Sequence, residues 1–396
     1  MRPPLAIVSD RVPVEQLALV LADSAVIDES YRPPRDLTAR SRDGGDAVAL
    51  QLKPIQHLLN QSDITELVIN RPGYVCVEAG TQWHELHVPE MTLNHCLSLA
   101  TAVATFTGQG ISEKCPSLSA TLATDERMQF VIPPAVEQGT ISVTIRKPSK
   151  TIFQLEDFEA QGLFEEVELI CDTPEDVNAK GAPQLDADEH ALLKLLWNGH
   201  TVDFLRHAVR RRRTMVVSGA TGSGKTTFMK GVMQECSISE RLITIEDARE
   251  IFLPRHPNKV HLLYSKGDQG VARVTAAHLL VACLRMRPDR ILLAEIREGE
   301  AYFFLRTAAS GHPGSITSMH AGTVAEAWEQ MALMMRQSEA GAGLGNAEVH
   351  RLLRLLVDVI VQYVKDPHSA RTQHRSNRRV AQIYYRPLRK RREVLA

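Results

Sequence analysis

A glycine-rich octamer near the middle of the chain, GATGSGKT at residues 219–226, has the residue types that bind phosphate. In TMVVSGATGSGKTTFMKGV an apolar strand precedes the octamer and a helical stretch follows it. Glycines let backbone N–H groups turn toward a phosphate without β-carbon clashes, and the helix adds its positive N-terminal end. We expect Lys225 to reach the β- and γ-phosphates of ATP and the Thr226 hydroxyl to ligate Mg²⁺. The expected nucleotide-binding residues are Gly219, Ala220, Thr221, Gly222, Ser223, Gly224, Lys225, Thr226 and Thr227.

Three apolar runs elsewhere in the chain end in polar side chains. RLITIEDARE ends at Glu246 and Asp247, RPDRILLAEIR ends at Glu295 and Arg297, and GSITSMHAG ends at His320. In an open parallel sheet the ligand lies at the carboxyl ends of the strands. If these runs are strands beside the phosphate loop, their carboxylates and the histidine converge on the γ-phosphate.

Glu295 is the group that we expect to position and polarise the attacking water. The alternative is a structural carboxylate paired with Arg297. Residue 294 is Ala, so the acid that usually precedes such a glutamate and supports the metal is missing. Metal support must then come from Thr226 and, through water, from Asp247 or Glu246.

His320 is a candidate sensor of the γ-phosphate that changes partner on hydrolysis. The alternative is a core histidine with satisfied hydrogen bonds. A zinc site made of His312 and His320 is not expected, because their spacing is loose and no Cys or acid accompanies them within the stretch.

The elements that must position these residues fall into five segments. Residues 1–48 form an extension that we expect to be poorly ordered, although VEQLALVLADSAVI could be one helix. Residues 49–150 carry strand and turn signals of a small mixed domain with a meandering antiparallel sheet. Residues 151–186 are acidic and weakly periodic, so we predict a linker that could contain one helix. In 187–366 short apolar strands alternate with helical stretches, which indicates a parallel α/β sheet, and 367–396 is a basic tail.

The bulk composition is that of an ordinary globular protein with two domains. The chain has 396 residues, of which 44% are hydrophobic and 23% charged, and a formal net charge of −1. This balance gives no overall electrostatic case for binding nucleic acid. Six scattered cysteines without a CxxC pair argue against a zinc knuckle or a disulfide framework. The start lacks a secretory signal and no stretch is apolar enough for a membrane helix, so we expect a cytoplasmic protein whose membrane association is peripheral.

The tail has two interpretations. It is either a solvated and partly disordered end, or a contact for anionic lipid head groups or nucleic acid. Its one acid is Glu393. Its basic residues are Arg371, Arg375, Arg378, Arg379, Arg386, Arg389, Lys390, Arg391 and Arg392.

The motifs together resemble the type IV secretion traffic ATPases of bacteria, which are hexameric motors of conjugation and effector export. The resemblance lies in SGATGSGKTT, RLITIEDARE, SGHPGSITSMHAG and HLLYSKGDQGVARVTAAHLLVACLRMRPDRILLAEIREGEA. It continues upstream in LNQSDITELVINRPG, CPSLSATLATDERMQFVIPP and GTISVTIRKPS. It therefore covers roughly residues 50 to 365.

The resemblance implies an α/β protein in which a RecA-like P-loop ATPase domain follows a smaller α+β N-terminal domain. The four motifs correspond to the Walker A loop, the Asp box, a Walker B variant and the His box. A small residue before Glu295 is common in that family, so the Ala there implies no loss of activity. The family's N-terminal domain sends arginines toward the nucleotide, which implies that Arg127 and Arg146 stabilise charge on the γ-phosphate. Without the resemblance, both are ordinary arginines on a strand surface.

The resemblance also implies an assembly. We expect a homo-hexamer that uses ATP and Mg²⁺ and works at the cytoplasmic face of the inner membrane. Its partners would be type IV secretion channel components and other secretion ATPases. The extension and the basic tail lie outside the motifs, so their roles do not follow from the resemblance.

Two other functions fit parts of the sequence. A type II secretion or type IV pilus motor is a related ATPase, but extension motors of that kind often carry a four-cysteine zinc module and this chain has no CxxC. A nucleotide-gated scaffold or nucleic-acid-binding protein would use the basic tail and predicts salt-sensitive DNA binding. Glu295 and Glu246 would have little purpose in a protein that only binds.

Overall fold

The structure is a computed structural model, and it describes residues 42–79, 82–122, 124–147, 151–264, 274–365 and 377–395. Most of the predicted extension, including its candidate helix, lies outside the described residues. The part that is described is helical, because α1 spans Arg42–Leu52. Val48 and Leu52 are buried in the core of the first sheet, so the N-terminal domain begins before residue 49.

The N-terminal domain contains a six-stranded antiparallel sheet with the order β3-β2-β1-β6-β5-β4. A 3₁₀ turn at Lys53–Ile55 and the short helix α2 at Gln56–Leu59 precede it, and α3 at Leu93–Thr107 packs on it. The sheet confirms the predicted antiparallel meander. Its strands are β1 (Ile64–Arg71), β2 (Tyr74–Ala79), β3 (Gln82–His87), β4 (Ser117–Thr121), β5 (Arg127–Val131) and β6 (Ser142–Arg146).

The second sheet has eight strands in the order β10-β9-β11-β12-β8-β13-β14-β7. Every neighbouring pair is parallel except β13 with β14. This arrangement confirms the predicted α/β domain. Its strands are β7 (Glu168–Cys171), β8 (Met215–Ser218), β9 (Leu242–Glu246), β10 (Lys259–Leu263), β11 (Arg290–Leu293), β12 (Ile316–Met319), β13 (Val359–Lys365) and β14 (Arg378–Tyr385).

Helices cover both faces of this sheet. Alternate residues of β8 belong to different cores, with Met215 and Val217 in one and Val216 in the other. Strands buried on both faces read as continuous apolar runs, which is why MVVS, LITIE and RILL show no alternation. The helices are α4 (Leu155–Ala160), α5 (Pro174–Asn178), α6 (Ala187–Trp197), α7 (Thr201–Arg210), α8 (Lys225–Met233), α9 (Ala276–Cys283), α10 (Glu300–Ala309), α11 (Val324–Gln337), α12 (Asn346–Leu356) and α13 (Pro387–Leu395). Among the described residues, no helix is long and apolar enough to cross a bilayer.

The predicted linker at 151–186 differs from the structure. Its residues 168–171 form β7, the edge strand of the large sheet, which pairs with β14. An edge strand of four partly exposed residues carries too little apolar periodicity to be recognised. The segment is therefore part of the ATPase domain, not a connection between domains.

The predicted basic tail also differs from the structure. Residues 378–385 form β14 and 387–395 form α13, both packed into the fold, while 366–376 lie outside the described residues. The basic side chains pair with acids of the same domain. These pairs are Arg386–Asp172, Lys390–Asp358, Arg391–Glu189 and Arg391–Asp186. The acid of the tail, Glu393, pairs with Arg354 of α12. The sequence leaves open whether these residues are a solvated end or a contact for anionic ligands, because it cannot show these partners.

Candidate active site

The phosphate loop connects β8 to α8, in the strand–loop–helix context that the sequence predicts. Gly219 could not carry a side chain, since a β-carbon there would overlap the Tyr363 carbonyl oxygen. Gly224 has a φ of +97°, a left-handed conformation that favours glycine. The loop is thus shaped as a backbone cradle, and α8 starts at Lys225 with its N-terminal N–H groups at the cradle. This cradle fits a phosphate group.

Three side chains from neighbouring strand ends meet beside the loop. Lys225 Nζ lies 3.2 Å from His320 Nδ1 and 3.9 Å from Glu295 Oε1. His320 Nε2 lies 2.7 Å from the same Glu295 oxygen. Glu295 follows β11 and His320 follows β12, and the sheet order places β12 between β11 and β8. The structure therefore brings Lys225, Glu295 and His320 together, as the sequence predicts.

Arg297 and Asp247 extend this cluster toward the N-terminal domain. Arg297 Nε donates to Glu295 Oε2 at 2.6 Å, and its Nη1 donates to Asp247 Oδ2 at 3.1 Å. Arg127, the first residue of β5, donates from Nη2 to Asp247 Oδ1 at 2.6 Å. Its Nη1 pairs with Glu250 Oε1 at 3.0 Å. An unbroken chain of ion pairs thus joins Glu295 to the N-terminal sheet.

Arg146 lies beside Arg127 in that sheet. The two residues are direct partners in the β5–β6 ladder. Both line a cavity of about 410 Å³ whose wall on the ATPase side includes Asp247, Ala248 and Tyr264. The positive charge of Arg146 also contributes to lowering the pKa of Lys225. Both arginines that the resemblance selected therefore face the ATPase domain near the phosphate loop.

Burial dominates the electrostatics of the central pair. It raises the pKa of the Glu295 carboxyl above its usual 4.5, against the opposing effects of Lys225 and His320. It also lowers the pKa of the Lys225 ammonium, against the opposing effect of Glu295. Desolvation disfavours the charged form of each group more than their attraction favours it. A carboxylate with a raised pKa is a better proton acceptor, as a general base requires.

Two buried polar atoms beside the loop have no hydrogen bond in the structure. They are Ser223 Oγ and Glu295 Oε1, the latter close to cations but without an aligned donor. Buried polar groups in folded proteins are nearly always satisfied, so such atoms indicate a place for a ligand or water. Together with the backbone cradle, they fit a bound nucleotide.

Glu246 does not join the cluster, which corrects the expectation that it converges on the γ-phosphate. Its side chain is fully buried, and Oε2 accepts the backbone N–H groups of Glu250 and Ile251, both at 2.7 Å. Oε1 accepts the Thr244 hydroxyl at 2.9 Å. Successive residues of a strand point to opposite sides, so Glu246 and Asp247 cannot both face the loop.

If Mg²⁺ accompanies the nucleotide, residues of the loop rather than an acidic cluster would hold it. Among the described residues, no group of three or more His, Cys, Asp or Glu side chains could hold a metal ion. Mg²⁺ needs few protein ligands when phosphates and water supply the others, so the Thr226 hydroxyl at the start of α8 suffices. Asp247, the predicted partner through water, has both oxygens on guanidinium groups. His312 is elsewhere, with Nδ1 2.8 Å from the Pro288 carbonyl oxygen.

Two functional contacts escaped the reading of the sequence. Glu250 receives Arg127, and Arg297 bridges two carboxylates instead of pairing with Glu295 alone. In the sequence, IEDARE places two acids, Asp247 and Glu250, close together on one loop, which indicates a binding site for a cation. The sequence does not show which cation it is, because Arg127 lies 120 residues earlier in the chain.

Comparison with known proteins places this site in a family. The family described as "Type II/IV secretion system protein" matches residues 191–389. The type IV secretion system protein VirB11 of Brucella suis is 46% identical over 347 residues, which cover 87% of this chain and 92% of that protein. PtlH, a type IV secretion system protein of Bordetella pertussis, is 39% identical over 341 residues, covering 86% and 95%.

A structure has been solved for the same Brucella suis relative. The crystal structure of the Brucella suis VirB11 ATPase in complex with sulphate is 46% identical to this chain, covers 87% of it and 99% of that chain, and has a TM-score of 0.48. The similarity to the Brucella suis protein covers 347 residues, which is too long to lie in one of the two domains alone. By this identity and coverage, the chain belongs to the VirB11 family of type IV secretion system ATPases.

Proposed function

We propose that the cluster beside the phosphate loop hydrolyses ATP with Mg²⁺, and that six chains form a ring that drives type IV secretion. The observation that carries the catalytic part is the position of Glu295. It is a buried carboxylate with a raised pKa, next to Lys225 and His320 at the carboxyl edge of the sheet. Ligands of open α/β sheets bind at this edge.

The ion pairs of the cluster set the order of events. The backbone N–H groups of residues 219–224 and the N-terminus of α8 bind the phosphates, and Lys225 exchanges Glu295 for the β- and γ-phosphates. Glu295 then has a free oxygen that orients a water molecule and accepts its proton. His320 follows the γ-phosphate, because it contacts both Lys225 and Glu295. Thr226 holds Mg²⁺, which neutralises phosphate charge when bound.

Arg127 and Arg146 supply charge from the N-terminal domain. Arg127 is anchored on Asp247 and Glu250, within the ion-pair chain that ends at Glu295. A γ-phosphate competes for these guanidinium groups, since Arg binds phosphate and carboxylate in the same bidentate way. Transfer of the arginines to the γ-phosphate closes the N-terminal sheet on the ATPase domain and stabilises the transition state.

Family membership supports the cellular part of the proposal. VirB11 of Brucella suis and PtlH of Bordetella pertussis are type IV secretion system proteins. We therefore propose that the chain works at the cytoplasmic face of the inner membrane, with channel components and other secretion ATPases as partners. The alternative of a nucleic-acid-binding scaffold that uses the tail is less well supported, because Arg386, Lys390 and Arg391 already pair with acids of the same domain.

The test measures the rate of ATP hydrolysis and the mass of the assembly in solution. ATP hydrolysis is measured with Mg²⁺ and with Mg²⁺ removed by a chelator, and hydrolysis that needs Mg²⁺ is expected. Light scattering with Mg²⁺ and a non-hydrolysable ATP analogue is expected to give six chains of 44.0 kDa, or 264 kDa. Absence of hydrolysis contradicts the catalytic part. A monomer or dimer with and without the analogue contradicts the ring.

A further inference from the structure

The start of strand β14 lies at the same edge of the sheet as the phosphate loop. Strand β13 runs parallel to β8, with Gln362 opposite Ser218, and then continues beside the loop. Strand β14 is antiparallel to β13, and its first residue, Arg378, is the partner of Lys365. An antiparallel strand begins where its parallel neighbours end. The topology therefore delivers Arg378 to the carboxyl edge, where the nucleotide site lies.

The Arg378 side chain lies beside the loop, at Gly224. A β-carbon on Gly224 would lie 3.3 Å from Arg378 Cδ and Nε and 3.4 Å from Cζ. Gly224 directly precedes α8, whose first backbone N–H groups face the phosphate cradle. The guanidinium therefore lies beside the residue that leads into the phosphate-binding end of α8, and Arg378 as a whole is half-buried.

Arg378 approaches from the flank of the loop opposite to the catalytic cluster. In the sheet order, β12 and β11, which carry His320 and Glu295, lie on one side of β8. Strands β13 and β14 lie on the other side. A nucleotide whose γ-phosphate faces Glu295 extends its α- and β-phosphates along the loop, away from that cluster. The flank of Arg378 then meets the part of the nucleotide that ATP and ADP share.

We infer that Arg378 binds the α- and β-phosphates of the nucleotide. The inference rests on the proposed function of this site, and it adds a residue from the last strand of the sheet. A guanidinium suits this task because its planar fork donates two hydrogen bonds to phosphate oxygens at once. Its contribution differs from those of Arg127 and Arg146, which act on the γ-phosphate. Loss of the Arg378 side chain therefore weakens the binding of ATP and the binding of ADP to the same extent.

The experiment compares Arg378→Gln with Arg379→Gln. Arg379 is the next residue of β14 and donates from Nη1 to the Glu166 carbonyl oxygen, so its replacement removes the same charge from the same strand. Dissociation constants for Mg²⁺–ADP and for a Mg²⁺-bound, non-hydrolysable ATP analogue are measured by titration calorimetry. We expect Arg378→Gln to weaken both by roughly tenfold or more, the usual effect of losing a charge-assisted hydrogen bond. Arg379→Gln is expected to bind both nucleotides as the unchanged chain does.

The outcomes separate this inference from the proposed function. If the unchanged chain binds no nucleotide, the proposed function fails. If it binds nucleotide and Arg378→Gln binds equally well, or loses only the ATP analogue, the inference is overturned. The unfolding temperature without nucleotide shows whether Arg378→Gln is folded. If it is not, Arg378→Lys replaces it, and a loss of affinity for both nucleotides is again expected because a single ammonium lacks the bidentate fork.

Discussion

The ends of strands β9 and β11 carry two buried glutamates with different surroundings. The two strands are parallel neighbours, and the side chains of Glu246 and Glu295 are only 0% and 14% exposed. Glu246 is held mainly by backbone, since Oε2 accepts two backbone N–H groups; its Oε1 accepts the Thr244 hydroxyl and lies 3.6 Å from His261 Nδ1. Glu295 instead meets side chains, those of Lys225, His320 and Arg297, and its Oε1 lacks an aligned donor. Burial is thus common to both, and the kind of partner distinguishes them.

This difference has a physical consequence for each residue. Backbone donors are fixed, so a carboxylate that they saturate holds the chain in place and cannot release them without local unfolding. Side-chain cations are exchangeable, because a phosphate can take over Lys225 or an arginine and leave the carboxylate free. The end of β9 at Glu246 is therefore a structural brace, and the end of β11 is a site prepared for an anion.

The largest expected effect is the loss of turnover in Glu295→Gln. The amide keeps the shape but cannot accept the proton of water, so kcat is expected to fall by roughly 10² to 10⁴. The free energy of unfolding of Glu295→Gln is expected to change less than that of Glu246→Gln. Steady-state ATP hydrolysis measures the effect, and Glu298→Gln, an exposed glutamate three residues later, is the matched control. Full activity of Glu295→Gln would remove Glu295 from the mechanism.

The next effect is a loss of stability in Glu246→Gln. The amide has one acceptor oxygen, whereas Glu246 uses both of its oxygens as acceptors, so a buried donor loses its partner. We expect the free energy of unfolding to fall by about 2 kcal/mol. Denaturant unfolding measures this change, and Glu348→Gln, exposed on α12, is the control.

Turnover completes the contrast between the two glutamates. Per folded molecule, Glu246→Gln is expected to hydrolyse ATP within a few-fold of the unchanged chain. A loss of turnover comparable with that of Glu295→Gln, at unchanged stability, would mean that the two strand ends have the same role. The comparison would then be wrong.

Much of the site could be predicted from the sequence because its rules are local. The phosphate loop needs only glycines between a strand and a helix, and the carboxyl-edge rule brought Glu295 and His320 to Lys225 without any knowledge of contacts. The same rule failed at Glu246. Successive residues of a strand point to opposite faces, so only one of Glu246 and Asp247 can face the ligand. The preceding run LITI is buried on both faces, so the sequence does not show which of the two it is.

Other features depended on contacts between distant segments. Strand β7 pairs with β14, more than two hundred residues later, and neither edge strand has a clear pattern by itself. The role of Arg127 depends on Asp247 of the other domain, so only the family resemblance pointed to it. The basic residues near the C-terminus could not be paired from the sequence. Two of their acidic partners, Asp172 and Asp186, lie about two hundred residues earlier, in the predicted linker.

The expected effect that sharpens the comparison most needs no substitution at Glu295 and concerns the pH dependence of kcat. Glu295 must be deprotonated to accept a proton, and burial raises its pKa above 4.5. Turnover is therefore expected to fall as pH falls through a value above 4.5, by about tenfold per pH unit below it.

The pH–rate profile of the unchanged chain and of Glu246→Gln should share this acidic limb, because Glu246 takes no part in the chemistry. His320→Asn removes the imidazole whose Nε2 lies 2.7 Å from the Glu295 carboxylate. If that variant keeps the limb and the residual activity of Glu295→Gln lacks it, the limb belongs to Glu295. A flat profile down to pH 4.5 in the unchanged chain would contradict a buried base at the end of β11.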